Sequence, residues 1–171
     1  MKHRVIAILV LASCMITLGT SGGVSAIAQP NSPSIDDMVR ALKPPKVISR
    51  SLVRNLQAER AQIDLTVEFD FDSARLRSES LPLLERLSTA MRSEALNGLR
   101  FRIEGHTDAV GTADYNMKLS NRRAQTIEEF LGSQGVDRTR LESVGKGATE
   151  LLVPADPLSA TNRRVRVVTN E

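Results

Sequence analysis

Two residues of opposite charge, Asp108 and Arg123, could together form a binding site. Arg123 occupies the helical spacing between Leu119 and Ile127, so a cation lies on the apolar face of a predicted helix. Because a guanidinium is almost never fully buried without a partner, we expect an anionic group to meet it or its tip to reach a cleft. Asp108 can face the same cleft, and one charge of each sign would suit a zwitterionic ligand. Pairing of Asp108 with Arg123, or capping of a loop by Asp108, would be purely structural alternatives.

The elements that must position this pair are a strand, a loop and a helix. Residues 101–104 alternate between apolar and polar side chains, and the alternation ends at Gly105. The segment that follows leads into apolar residues at helical spacing. Binding sites in α/β folds commonly form where strands end in this way.

Several enzymatic and metal-binding interpretations of this region fail on spacing. His106, Asp108 and Ser120 are the residue types of a hydrolytic triad, but Ser120 lies within the predicted helix and has no Gly-x-Ser-x-Gly elbow. The only other histidine is His3, so a zinc site formed by His106 and Asp108 lacks its complement. Residues 145–147 lack the pattern of a phosphate-binding loop and predict a turn. The sequence therefore predicts no enzyme, no metal site and no cofactor.

Charge and composition also exclude a nucleic-acid partner. The formal net charge is +3, and removal of residues 1–28 would take away two basic residues and no acid, leaving +1. A nearly neutral protein has no extended positive field for nucleic acid. Aromatic residues for stacking on bases are scarce, with one Tyr, four Phe and no Trp.

Residues 1–28 are predicted to be a secretory signal peptide. A basic head precedes an uncharged apolar run from Val5 to Leu18, and small residues follow where a signal peptidase cuts. The run is too short and too interrupted by glycine for a good membrane span. The segment ending at Cys14 resembles a lipoprotein cleavage site, so membrane association through a lipid on Cys14 is an alternative. Cleavage after residue 28 would leave no cysteine and hence no disulfide.

Residues 29–61 are predicted to form a tether that contains one short amphipathic helix. Ser34 and Asp37 make a capped start, apolar residues recur at helical spacing up to Leu42, and two prolines follow. A helix of two turns is marginal by itself and needs a surface to pack on. Residues 34–42 could therefore bind an envelope protein partner, or could dock on their own domain or fray.

Residues 62–171 are predicted to form one α/β (α+β) domain with the element order βαβαββ. Helices between strands require parallel crossovers, and the last strand can return antiparallel, which gives a mixed four-stranded sheet covered by two main helices. The predicted strands are Ile63–Asp72, Leu99–Glu104, Leu141–Val144 and Arg164–Thr169, and the predicted helices are Ser78–Met91 and Tyr115–Leu131.

From about Val67 to Val168 the sequence resembles the OmpA-like domain, the peptidoglycan-binding C-terminal domain of outer membrane protein A, of peptidoglycan-associated lipoproteins and of flagellar stator proteins. The resemblance covers nearly the whole predicted domain and rests on many spaced positions. They are Phe69-Asp70-Phe71-Asp72-Ser73-Ala74, Gly105-His106-Thr107-Asp108, Gly111, Tyr115-Asn116, Leu119-Ser120, Arg122-Arg123-Ala124, Gly135-Val136, Gly145, Gly147 and Asn162-Arg163-Arg164-Val165.

The resemblance implies non-covalent binding of cell-wall peptidoglycan through the diaminopimelate of its stem peptide. Asp108 matches the family's aspartate and is expected to take the ammonium group, and Arg123 matches its arginine and is expected to take the adjacent carboxylate. The resemblance also implies that Thr107 lines the site and that Asn116 orients the backbone or the ligand. Arg163 is expected as a second cation near the carboxylate, with its neighbour Arg164 as the other choice for that role.

The implied location is the periplasm, with outer-membrane association as an addition. An alternative function is an envelope adaptor, in which residues 34–42 bind a partner and wall binding serves as the anchor. The sequence departs from many relatives at residues 148–152, where they continue with Glu and then Pro, so the shape of that loop is open.

Overall fold

The computed structural model describes residues 32–45 and 61–170. The predicted signal peptide, Cys14 and residues 46–60 of the predicted tether lie outside the described residues. The regular elements are α1 (Ile35–Leu42), β1 (Gln62–Leu65), α2 (Leu81–Met91), β2 (Arg100–His106), α3 (Ala113–Ser133), β3 (Leu141–Gly147) and β4 (Val165–Asn170). Within the described ranges, no helix has the length and apolar character needed to cross a membrane.

The four strands form one mixed sheet in the order β1-β4-β2-β3. β2 and β3 are parallel, with Phe101 opposite Leu141, and α3 forms the crossover between them. β4 runs antiparallel to both of its neighbours, β1 and β2. This arrangement confirms the predicted α/β class, with its mixed four-stranded sheet and its returning last strand.

One face of the sheet carries the hydrophobic core. Phe101 and Ile103 of β2 and Val165 and Val167 of β4 point to this face because they alternate along their strands. α2 and α3 cover it with the fully buried residues Leu84, Leu87, Met91, Ile127 and Leu131. The other face of the sheet is mostly charged.

Helix α1 completes the same core and does not stand apart from the domain. Its start is a capping box, in which Ser34 and Asp37 each accept a hydrogen bond from the other's backbone N–H. Met38 and Leu42 are fully buried in the core cluster, and Thr169 of β4 donates a hydrogen bond to the Leu42 carbonyl at 2.7 Å. The apolar face of residues 34–42 is therefore covered by the protein itself, and partner binding by this segment stays a prediction.

The first strand is shorter than its alternating sequence predicts. β1 ends at Leu65, and the chain then turns so that Phe69 forms an isolated antiparallel bridge with Leu76. Phe71, predicted on the core face, is fully exposed. The predicted strand over Ile63–Asp72 is wrong in its second half, because a tight turn at residues 70–75 replaces sheet pairing there.

The glycines of residues 145–147 lie in β3 and not in the predicted turn. A Cβ at Gly145 would collide with the α3 backbone at Asn121, and a Cβ at Gly105 would collide with the Ser120 carbonyl. Glycine at both positions lets α3 lie directly on β2 and β3. This close approach fixes where the side chains of α3 stand relative to the strand ends.

Candidate ligand-binding site

Asp108 lies just beyond the end of β2 and is largely buried. Its Oδ1 accepts a hydrogen bond from the backbone N–H of Val110 at 3.2 Å. Its Oδ2 accepts one from Nη1 of Arg163 at 2.6 Å, which makes a charge-assisted ion pair. Thr107, immediately before it, donates a backbone hydrogen bond to the carbonyl of Gly147, while its buried hydroxyl has no hydrogen-bond partner among the described residues.

The start of α3 holds the loop that carries Asp108. Thr112 caps the helix by accepting a hydrogen bond from the N–H of Tyr115 at 3.2 Å. The buried amide of Asn116 donates to the carbonyls of Asp108 and Val110, at 3.3 and 2.9 Å. Asn116 therefore orients the backbone of the site, which is one of the two roles implied for it by the resemblance.

Arg123 reaches from the apolar side of α3 into a partly buried environment. Its Nε donates to the carbonyl of Ser73 at 2.9 Å, and its guanidinium lies over the ring of Phe69 at 4.9 Å from the centroid. Burial and the neighbouring guanidinium of Arg163 lower the pKa of Arg123, against the opposing effect of nearby carboxylates. An arginine remains charged despite such a lowering of its pKa, so Arg123 presents a partly buried positive charge.

Arg163 arrives from a loop that is organised by one buried amide. Asn162 is fully buried, accepts from the N–H of Val153 at 2.9 Å and donates to the carbonyls of Asp156 and Pro157. Arg163 follows it with about half of its side chain exposed, so only its tip is tied to Asp108. It can turn toward a ligand without loss of packing.

Arg164 has a structural role instead. Its side chain is only 3% exposed, and its Nε donates to Asp64 at 3.0 Å. Its other nitrogens donate to the backbone carbonyl of Glu150 at 3.2 and 3.3 Å. Of the two neighbouring arginines, Arg163 is the one that the structure brings to Asp108.

A cleft joins these elements. It is lined by Val67, Phe69, Gly105, His106, Arg123, Arg163, Arg164 and Val165. Two partly exposed guanidinium groups, those of Arg123 and Arg163, thus face one cleft, and Asp108 reaches it through its pair with Arg163. Such a cleft can hold a carboxylate between two cations, with an anion nearby for an attached ammonium group.

The pairing of Asp108 with Arg123, considered above as a structural alternative, does not occur. Asp108 and Arg123 do not form an ion pair with each other, and the partner of Asp108 is Arg163. Sequence reasoning missed Phe69 and Ser73 as the groups that hold Arg123, since 50 residues separate Ser73 from Arg123. An aromatic residue just before a tight turn gave no signal of contact with a distant helix.

The open face of the sheet holds a second cluster, around His106. The His106 side chain is fully buried, and within the part of the chain that the structure describes neither of its ring nitrogens has a hydrogen-bond partner. Burial lowers its pKa to about 4, and the guanidinium groups of Arg164 and Arg166 act in the same direction. His106 is therefore a neutral imidazole at pH 7.

The sequence matches the OmpA family over residues 68–165, more than half of the chain. It is 37% identical over 101 residues to outer membrane protein A of Bordetella avium, covering 58% of this chain and 51% of that protein. It is 36% identical over 104 residues to a peptidoglycan-associated lipoprotein of Pseudomonas aeruginosa, covering 60% of each. The matches thus span about half to three fifths of the length of these relatives.

Solved structures agree with these matches. The crystal structure of the peptidoglycan-associated lipoprotein from Burkholderia pseudomallei superimposes with a TM-score of 0.53 at 29% identity, covering 66% of this chain and 92% of that one. The T6SS cell wall anchor from Pseudomonas aeruginosa superimposes with a TM-score of 0.52 at 31% identity, covering 65% and 81%.

The fold and the cleft define an OmpA-like domain. The chain belongs to the OmpA family, which confirms the resemblance found in the sequence. The relatives named above are outer membrane, peptidoglycan-associated or cell-wall-anchoring proteins and not enzymes, in agreement with the prediction that the chain has no catalytic role.

Proposed function

We propose that this protein binds cell-wall peptidoglycan non-covalently in the periplasm, as an envelope protein with or without attachment to the outer membrane. Membership of the OmpA family supports the proposal, as do relatives named as peptidoglycan-associated lipoproteins and a cell wall anchor. The observation that carries it is the cleft lined by Arg123 and Arg163, with Asp108 ion-paired to Arg163.

The ligand that suits this cleft is the free amino-acid end of diaminopimelate in the stem peptide. Its carboxylate fits between the guanidinium groups of Arg123 and Arg163, and its ammonium group fits on Asp108. Without ligand, both oxygens of Asp108 already accept one hydrogen bond each, from Val110 and Arg163. An ionised carboxylate can accept about four hydrogen bonds, so an ammonium group can join them or replace Arg163.

Binding should be reversible and of modest strength. The arginine that turns to the ligand is about half exposed, and exposed ion pairs contribute only about 1 kcal/mol or less each. Where the ammonium group replaces Arg163 on Asp108, the loss of that ion pair also reduces the net binding free energy. The wall polymer carries many stem peptides, so a protein that dissociates from one of them can bind another and remain at the wall without a covalent bond.

Pelleting with purified sacculi tests the assignment. We expect Asp108→Ala and Arg123→Ala each to abolish co-sedimentation, because each removes one charge that the zwitterion requires. Arg122→Ala is the matched control, since Arg122 is the exposed neighbour of Arg123 on the same helix and its replacement removes the same charge. Sedimentation of both site variants at the wild-type level would contradict the proposal.

A second measurement separates the ligand from the wall as a whole. Calorimetric titration with a stem peptide that contains diaminopimelate should show binding, whereas the same peptide with lysine at that position should bind at least about tenfold more weakly. Lysine retains the ammonium group but lacks the second carboxylate. Equal affinity for both peptides would leave wall binding intact and exclude the two arginines as a carboxylate site.

A further inference from the structure

His106 lines the proposed wall-binding cleft, but that cleft does not account for its buried imidazole. Among residues 32–45 and 61–170, neither ring nitrogen finds a hydrogen-bond partner, although the side chain is fully buried. Buried polar atoms are normally satisfied, so each exception calls for a specific cause. One cause is a group that binds the imidazole and that the polypeptide does not itself provide.

Two carboxylates converge on the same imidazole. Glu104 precedes His106 by two residues on β2, so both side chains project from the same face of the sheet. The Glu104 Oε2 lies 3.8 Å from the His106 Nε2, which is too long for a hydrogen bond. Glu150 approaches from the segment after β3, and one ligand atom from each of the three residues lies within 4.8 Å of the others.

We propose that Glu104, His106 and Glu150 bind a divalent transition-metal ion, with Zn²⁺ as the ion that suits one imidazole and two carboxylates. Ligand atoms of a tetrahedral zinc site stand about 3.3 Å apart, so Glu104 and His106 need to close by only about half an ångström. Glu150 supplies the larger adjustment, because its side chain is 45% exposed and is not packed in the core. A water molecule can take the fourth position.

The chemistry of the three ligands sets the choice of metal. Mg²⁺ and Ca²⁺ prefer oxygen ligands, whereas an imidazole with two carboxylates suits Zn²⁺ and its first-row neighbours. The sequence gave no hint of this set, because zinc patterns are sought among histidines and cysteines. Glu104 and Glu150 are 46 positions apart in the sequence, and only the folded structure brings both of them close to His106.

Positive side chains neutralise these carboxylates when no metal is bound. Lys146 lies 2.9 Å from Glu150 and 3.7 Å from Glu104, and Arg166 lies 3.6 Å from Glu150. A metal ion must displace Lys146, because the ammonium group of Lys146 lies near the carboxylates of both Glu104 and Glu150. Its side chain is 28% exposed and can swing outward. The proposal thus includes direct competition between Lys146 and the metal.

Isothermal titration of the untagged, EDTA-stripped protein with ZnCl₂ tests the site, with MgCl₂ as the comparison. We expect one Zn²⁺ per chain and no comparable Mg²⁺ binding. His106→Gln and Glu150→Gln should each weaken Zn²⁺ binding by at least about tenfold. The matched control is Glu142→Gln, an acid on the same face of the sheet but outside the cluster.

Glu150→Gln guards against loss of folding, because its exposed side chain can change without disturbing the core. Lys146→Met provides a gain of function, since removal of the competing ammonium group should tighten Zn²⁺ binding by on the order of tenfold. Absence of saturable Zn²⁺ binding by the wild type would overturn the proposal. Binding that survives unchanged in both His106→Gln and Glu150→Gln would overturn it as well.

Discussion

Two adjacent arginines, Arg163 and Arg164, show how one residue step separates binding from stability. Successive residues entering a strand point to opposite sides, so the two guanidinium groups reach different surroundings. Arg163 meets Asp108 with half of its side chain in solvent, whereas Arg164 is buried against Asp64 and the Glu150 carbonyl. The same side chain can therefore serve a ligand in one position and the fold in the next.

This division predicts opposite outcomes for the two alanine variants. Arg163→Ala should lose most wall binding while the free energy of unfolding falls by only about 1 kcal/mol, since half of the Arg163 side chain is exposed and Oδ1 of the largely buried Asp108 keeps its hydrogen bond from Val110. Arg164→Ala should lower the free energy of unfolding by about 2–3 kcal/mol, because it removes a buried guanidinium together with its hydrogen bonds to Asp64 and to the Glu150 carbonyl. Urea unfolding and sacculus pelleting of both variants provide the measurements. A destabilised Arg163→Ala with normal pelleting would reverse the assignment.

At the scale of single residues, the sequence indicated Asp108 and Arg123 as candidate site residues, but not which groups each of them contacts. The misplaced cation of Arg123 on an apolar helix face was visible from spacing alone, as was Asp108 at a strand end. The pairing of Asp108 with Arg163 joins residues 55 positions apart, and no local pattern encodes it. Hydrogen bonds to a carbonyl, such as that of Ser73, are equally invisible because every residue has one.

The elements were predicted in number, type and order, and the errors lie at their ends. Alternation over Ile63–Asp72 implied ten residues of strand, but only Gln62–Leu65 pair with β4. A period of two indicates that side chains alternate between two faces, but it does not indicate that a partner strand is present. β3 was cut short for the opposite reason, since the glycines at its end were interpreted as a turn. They are there because α3 lies against the strand.

Helix α1 makes a measurable contribution as an element of the core. Met38→Ala should lower the free energy of unfolding by roughly 2–4 kcal/mol, because Met38 is fully buried and its removal leaves a cavity. Arg40→Ala, at an exposed position on the same helix, should change it by less than about 0.5 kcal/mol. Urea unfolding gives both values. A Met38→Ala protein as stable as the wild type would mean that α1 is detached in solution.

At the scale of the whole molecule, the chain is an OmpA-family domain that follows a predicted signal peptide and tether. The aligned region is about half to three fifths of the length of the matched relatives, which are named as an outer membrane protein and a peptidoglycan-associated lipoprotein. Under the proposed function, we expect the segment before α1 to decide whether wall binding holds a free protein or links the wall to a membrane.

The mature N-terminus is the last prediction. We expect processing after residue 28 to give a chain that begins at Gln29, because the apolar run continues past Cys14 and small residues follow only later. Intact-mass measurement of the protein from a Gram-negative host checks this, with Cys14→Ser as the control that should be processed identically. A chain that begins at Cys14 and carries acyl mass, lost in Cys14→Ser, would contradict it. In that case each wall contact would also attach the outer membrane to the wall. The lipid anchor would hold the domain near the wall, and this raised effective concentration would strengthen the modest binding of a single cleft.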